Sequence, residues 1–262
     1  MAKIVWGADG QRTYAAGVDR GVLYIPGLPG VPWNGLKAVN EAPSGGEPRP
    51  YYLDGIKYAQ ISAAEEFSAT IQAFSAPSEF AVCDGSKKLM PGLYATQQPR
   101  KSFGMSYRTM NGNDIAGINA GYDIHIVYNA LAAATSRSNV TLGESVEPRD
   151  LSWDISTRPP SFYGGFKPTA HFVVNSKEAV SSTFSALERI LYGSTTSAPM
   201  LPSLEEFLSL FDANSPLRIT IDGVGGYTAD GLSVLPLGDD AFIITNNSAV
   251  TEIADGVFSI LY

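Results

Sequence analysis

The sequence predicts a mainly β chain of the α+β class, with two helices and a small all-β module at its C-terminal end. Three observations predict it. Runs that alternate apolar and polar residues recur from EEFSATIQAF (65–74) to TAHFVVNS (169–176). Only two segments, near 176–192 and 203–211, carry apolar residues at helical spacing. The 26 glycines and 17 prolines suit many short strands joined by turns.

Taken in order, YYLDGIKYA (51–59) has two short aromatic arms around Asp54-Gly55, a pair that favours the left-handed backbone of a tight hairpin turn. In EEFSATIQAF, Phe67, Ala69, Ile71 and Ala73 share one face and Glu66, Ser68, Thr70 and Gln72 the other, so one face is buried and one wet. EFAVCDG (79–85) reads as a strand with Cys83 as a small core residue. SFGMSYRTM (102–110) puts Phe103, Met105, Tyr107 and Thr109 together. GYDIHIVYN (121–129) groups Tyr122, Ile124, Ile126 and Tyr128, and LSWDIST (151–157) groups Leu151, Trp153 and Ile155. Two stretches, NEAPSGGEPRP (40–50) and MNGNDIAGINAG (110–121), read as long exposed loops, the kind that carries function.

The helix in NSKEAVSSTFSALERILYG (175–193) is expected to be capped by Asn175 or Ser176, with Val180, Phe184, Leu187 and Leu191 on one stripe and Gly193 ending it. LPSLEEFLSLF (201–211) opens on a capping box of Ser203 and Glu206. These elements assign residues 1–213 to the main domain. Residues 214–262, punctuated by Asp222-Gly223, Asp230-Gly231 and Asp255-Gly256, form an appended β-module.

A single cysteine rules out an internal disulfide and any cysteine-cluster zinc site. The net charge of −8 argues against a DNA-gripping surface. No apolar window spans a bilayer and the N-terminus has no apolar signal region, so a soluble chain made in the cytoplasm is expected. The Asp-Gly pairs are explained by turn chemistry without calcium.

The two histidines, His125 and His171, both sit in strand-like runs and point away from the better apolar face, His125 beside Asp123 and His171 beside Val173 and Asn175. Neither has a second ligand at i+2 or i+4, and no nucleophile elbow, zinc helix motif or phosphate loop is present. A structural role is expected for both. Catalytic residues, cofactors and metal are expected to be absent.

Several segments together resemble the major tail tube proteins of long-tailed (siphovirus-type) bacteriophages: GVDRGVLY (17–24), GVPWNGLKAVNEAPSGGEP (30–48), PYYLDGIKY (50–58), EEFSATIQAFSAPSEFAVCDG (65–85), RKSFGMSYRTMNGND (100–114), GYDIHIVYN, LSWDISTRP (151–159), KPTAHFVVNS (167–176) and LERILYG (187–193). Residues 215–262 lie outside that pattern. The resemblance implies a β-sandwich with a flanking α-helix, whose sheets join between copies into rings, commonly hexameric. These rings stack into a tube in the virion through which DNA passes without specific binding. Its partners would be further copies of itself and other tail proteins at the tube ends.

In that setting Ser68, Thr70 and Gln72 are candidates to face the lumen. Glu41, Ser44, Glu47 and Arg49 are candidates for the ring-to-ring contact, and Asn111, Asn113 and Asp114 form a second candidate loop. An acidic wall would repel DNA and let it slide. The competing expectation is a soluble β-sandwich module that binds carbohydrate or a cell surface. A hydrolase built on His125 or His171 with an aspartate is the third.

Overall fold

The computed structural model describes residues 4, 6–62, 64–141, 148–161 and 167–211, and the backbone of six strands between 219 and 261. The chain is mainly β and divides into two compact units. The first holds residues 1–177 and 199–201, the second residues 178–198 and 202–262.

The first unit is built on one large antiparallel sheet. Its strands are β1 (Thr13–Tyr24), β2 (Val31–Pro32), β3 (Leu36–Glu41), β8 (Ser68–Ala73), β11 (Phe103–Asn113), β12 (Gly117–Ala132), β13 (Leu151–Thr157) and β14 (His171–Asn175). The order is β2-β1-β11-β12-β13-β8-β3, and β14 pairs with β12. The long β12 serves two neighbours on one side: β14 along Asp123–Val127 and β13 along Ala130–Ala132. The sheet curls into a sandwich-like layer around a core of Leu23, Ile71, Phe103, Met105, Tyr107, Val127 and Trp153, all at most 1% exposed. Trp33 and Phe80 complete it, the Trp33 ring lying 4.7 Å from Phe80 and 5.8 Å from Trp153. Burial of each such side chain contributes about 1.5–3 kcal/mol. The indole N–H groups stay satisfied: Trp33 donates to the Ser75 carbonyl at 2.8 Å and Trp153 to Asp84 Oδ1 at 3.0 Å.

The alternating runs fold as their pattern demands. Ala69, Ile71 and Ala73 are buried and Ser68, Thr70 and Gln72 half-buried on the opposite face. Trp153 and Ile155 point into the core. On β11, however, both faces are covered from Phe103 to Arg108, because the sheet's second face is closed at its centre as well.

The stretch 40–50 is not a loop. With β4 (Ser44–Gly45), β5 (Pro48–Leu53), β6 (Ile56–Ser62) and β7 (Glu65–Glu66), it forms one long hairpin running from Leu36 to Ala73. Partner residues keep a single register from Ala38↔Gln72 through Ser44↔Glu66 to Tyr51↔Ala59. Pro43, Pro48 and Pro50 interrupt the ladder without ending it, because a two-stranded ribbon has outward positions that need no N–H. Gly45, at φ 86, brings the ribbon so close that a Cβ there would lie 2.4 Å from the Ala64 carbonyl oxygen. The tip is the expected Asp54-Gly55 turn, with φ of 50 and 78.

The stretch 110–121 is likewise strand: β11 runs to Asn113 and β12 starts at Gly117. Asn113 Oδ1 accepts the amides of Ile115 at 3.2 Å and Ala116 at 2.6 Å, which closes the turn locally. EFAVCDG is also corrected. Residues Ser78–Val82 form a 3-10 turn after Pro77, followed by further turns, with Phe80 and Cys83 still buried. Proline fixes the entry, and the Cys83 amide closes back on the Phe80 carbonyl at 2.9 Å. A short hairpin follows, β9 (Lys87–Met90) with β10 (Leu93–Ala95).

In the second unit, α1 spans Ser181–Tyr192 and α2 spans Leu204–Phe211. Helix α1 starts a turn and a half later than expected. Asn175 belongs to β14 and accepts the Lys177 amide at 2.8 Å, and Ser176 Oγ accepts the Tyr122 amide at 2.9 Å, so neither is free to cap. Gly193 ends the helix at φ 79. The Ser203–Glu206 capping box forms reciprocally: the Ser203 amide donates to Glu206 Oε2 at 2.9 Å and the Glu206 amide to Ser203 Oγ at 3.2 Å. Beyond α2 the backbone forms a four-stranded antiparallel sheet, β15 (Ile219–Ile221), β16 (Tyr227–Ala229), β17 (Leu232–Gly238) and β18 (Ala241–Ile244), and a hairpin, β19 (Ala249–Ala254) with β20 (Val257–Leu261). Asp222-Gly223, Asp230-Gly231 and Asp255-Gly256 lie outside the described residues.

Candidate functional site

The two histidines meet. Antiparallel pairing of β12 with β14 sets His125 opposite Val173 and Val127 opposite His171, so the imidazoles are diagonal neighbours on one face. His125 Nδ1 lies 3.1 Å from His171 Nε2. Their rings are nearly parallel, 5.3 Å apart at 13°. Tyr107, directly opposite His125 on β11, stacks on its other side at 4.5 Å and 8°. Phe67 covers His171 at 4.1 Å. Both imidazoles leave the Ile124–Ile126 side of β12, as its alternation requires, and land on the Tyr107 and Val127 side, which is also buried.

A third group arrives from the base of the hairpin. Glu41, the last residue of β3, places Oε1 at 3.3 Å from His125 Nδ1 and accepts the Tyr107 hydroxyl at 2.7 Å. His125 Nε2 faces Thr109 Oγ1 at 2.9 Å. Burial holds both imidazoles below their ordinary pKa. For His125 this outweighs the opposing pull of Glu41 and Asp123. For His171 it outweighs Glu41 and is reinforced by His125, pushing the value down to about 4. Burial, then the bond to Glu41, pushes the Tyr107 phenol up. Both shifts favour the neutral form of the imidazoles, each with a lone pair to share.

The order Thr109–His125–Glu41 matches the hydroxyl–imidazole–carboxylate connectivity of a nucleophilic triad. Its setting does not suit that chemistry. Thr109 lies mid-sheet, paired with Val18 on one side and Asp123 on the other, so the surrounding backbone amides serve the ladder and not an oxyanion. A base also works best with a pKa near the operating pH, and both rings are displaced downward. Asp123, the nearest aspartate on that strand, accepts Asn175 Nδ2 at 2.7 Å.

The remaining candidates lie apart from this cluster. Ser68, Thr70 and Gln72 oppose Ser156, Asp154 and Ser152, giving a small polar face on β8 and β13. Thr70 Oγ1 donates to Asp154 Oδ1 at 2.6 Å, and Ser68 donates to the Ala42 carbonyl. Ser44 and Arg49 are strand residues of the hairpin, Glu47 lies between β4 and β5, and all three are exposed. Asn111 opposes Ala15 and Gly121, Asn113 builds the β11–β12 turn, and Asp114 Oδ1 accepts the Gly10 amide at 2.9 Å. Sequence reasoning found the histidines but not the Glu41 connection. The available signal for the histidines was Asp123 and Asn175, which face each other across β12 and β14 and set the offset that makes His125 and His171 diagonal neighbours.

Beyond the cluster, the hairpin exposes an apolar surface. Tyr52, Ile56 and Tyr58 are 66%, 73% and 77% exposed, and Tyr51, Leu53 and Ile61 are exposed as well. No helix among the described residues is long and apolar enough to cross a membrane. No protein-family model matches this chain, and no curated protein matches its sequence.

Proposed function

We propose that the chain is a structural subunit that assembles with copies of itself into stacked rings, forming the tail tube of a long-tailed bacteriophage and a conduit for DNA. The single observation that carries this reading is the hairpin from Leu36 to Ala73, an arm whose outer half presents Tyr51, Tyr52, Leu53, Ile56, Tyr58 and Ile61 to solvent. An exposed apolar ribbon of this kind marks a contact surface. The body supports it. Among the described residues, β1 pairs on its outer side only at Val22 and Leu23, leaving Thr13–Asp19 as an open border suited to strand addition. The polar face of β8 and β13 offers small neutral and acidic side chains, and the net charge of −8 disfavours phosphate binding.

Electron microscopy of the purified chain tests this directly. Rings or tubes are the expected result, and a strict monomer at all concentrations would overturn it. The exposed Tyr51, Tyr52 and Tyr58 favour one second reading, a carbohydrate-binding module. It requires saturable glycan binding by a monomer, abolished when these tyrosines become alanine.

A further inference from the structure

We propose that Glu41, His125 and His171 bind a divalent transition-metal ion, with zinc the best fit to the donor set, and that the ion ties the base of the hairpin arm to the central sheet. The donor atoms are His125 Nδ1, His171 Nε2 and a Glu41 carboxylate oxygen, all within 4.8 Å of one another. Two separations are 3.1 Å and 3.3 Å. A tetrahedral zinc ion with bonds of about 2.0–2.1 Å holds its ligand atoms roughly 3.3 Å apart. The two measured separations are therefore close to what the ion requires.

The donor chemistry selects the class of ion. Two neutral imidazoles and one carboxylate suit zinc and its d-block neighbours, whereas magnesium and calcium take oxygen ligands. Supporting groups orient two of the donors. With its proton on Nε2, His125 donates to Thr109 Oγ1 and turns the Nδ1 lone pair toward His171 and Glu41. The Tyr107 hydroxyl holds Glu41. Such outer hydrogen bonds are a regular feature of metal-binding imidazoles and carboxylates. The same tautomer logic requires His171 to carry its proton on Nδ1 when Nε2 ligates. Three protein ligands leave a fourth position for water.

The ligands come from β3, β12 and β14, three strands far apart in sequence. Glu41 is the last residue of β3, where the hairpin continues outward from the body sheet. An ion here would therefore couple the arm's base to strands it does not pair with.

The test is calorimetric titration of the chelator-stripped full chain with zinc chloride, with magnesium chloride as comparison. The expected result is saturable binding of one zinc per chain and none of magnesium. Cobalt chloride should give the visible bands of a tetrahedral site. Glu41→Gln removes the charged ligand but keeps an oxygen for Tyr107, and its exposed position preserves the fold. It should weaken zinc binding by about tenfold or more and diminish the cobalt bands. His171→Gln should do the same. Absence of one-to-one binding, equal affinity for magnesium, or unchanged zinc affinity in Glu41→Gln would each overturn the proposal. If His171→Gln fails to fold by circular dichroism, Glu41→Gln decides alone.

Discussion

Asp19 grips Arg108 with both carboxylate oxygens, Oδ1 at 2.7 Å from Nε and Oδ2 at 2.5 Å from Nη2. The pair lies across β1 and β11 in direct register, and the Arg108 guanidinium also rests 4.5 Å from the Tyr122 ring centroid. Arg108 is buried, while Asp19 keeps much of its side chain in water.

Removing the acid should therefore cost less than breaking a fully buried pair. Asp19→Asn is expected to lower stability by about 2 kcal/mol in urea unfolding at pH 7. The hydrogen bond from Arg108 lowers the Asp19 pKa, against burial and with help from the Arg108 and Arg20 charges. A carboxyl depressed on folding stabilises fully above its unfolded pKa, and the gain fades as pH falls through its folded pKa. The gap between parent and Asp19→Asn should accordingly narrow on acidification below about pH 4. A gap that stays constant to pH 2 would contradict this assignment.

Burial raises the Cys83 thiol to about 11, with Asp84 adding to the rise and Lys101 opposing it. Thiolate is the reactive form, so at pH 8 iodoacetamide should modify the folded chain at least about a hundredfold more slowly than the urea-unfolded chain. Equal rates, followed by mass spectrometry, would show that the 3-10 turn opens freely.

Gly45→Ala should loosen the arm while leaving the body intact. The new methyl group meets the Ala64 carbonyl, and φ 86 is strained for any other residue. Amide exchange across Pro48–Ser62 is expected to quicken, while β11 and β12 keep their protection. Simultaneous loss of protection in β11 would mean that arm and body unfold as one.

Assembly should depend on the arm's apolar surface. The double substitution Tyr52→Asp and Ile56→Lys changes two exposed side chains and should leave the folded monomer and its melting midpoint unchanged. Light scattering should then report loss of oligomers. Tubes of normal length would remove the arm from the contact.

Much of this architecture was readable locally. The alternation of Phe67 to Ala73 fixes which face of β8 is buried, and Ser203 with Glu206 caps α2 as its spacing requires. The Asp54-Gly55 turn was equally plain. The extent of the hairpin was not, because prolines and glycines at 43–50 are loop signals in isolation, and only pairing with 59–66 makes them strand. The meeting of Glu41, His125 and His171 was hidden for a different reason. It depends on the diagonal offset between β12 and β14 and on the reach of β3, neither of which leaves a mark in any short window.

The single register that the hairpin keeps from Ala38 to Tyr51 restricts how its reach can change. Alternate residues face opposite ways, so a single insertion within one flank would turn over every side chain beyond it on that flank. Viable lengthening must come in matched pairs on both flanks, or at the Asp54-Gly55 apex, where no facing needs to be kept. Related chains with longer or shorter projections are thus expected to differ in steps of two residues per flank, leaving Ala69, Ile71 and Ala73 where they are.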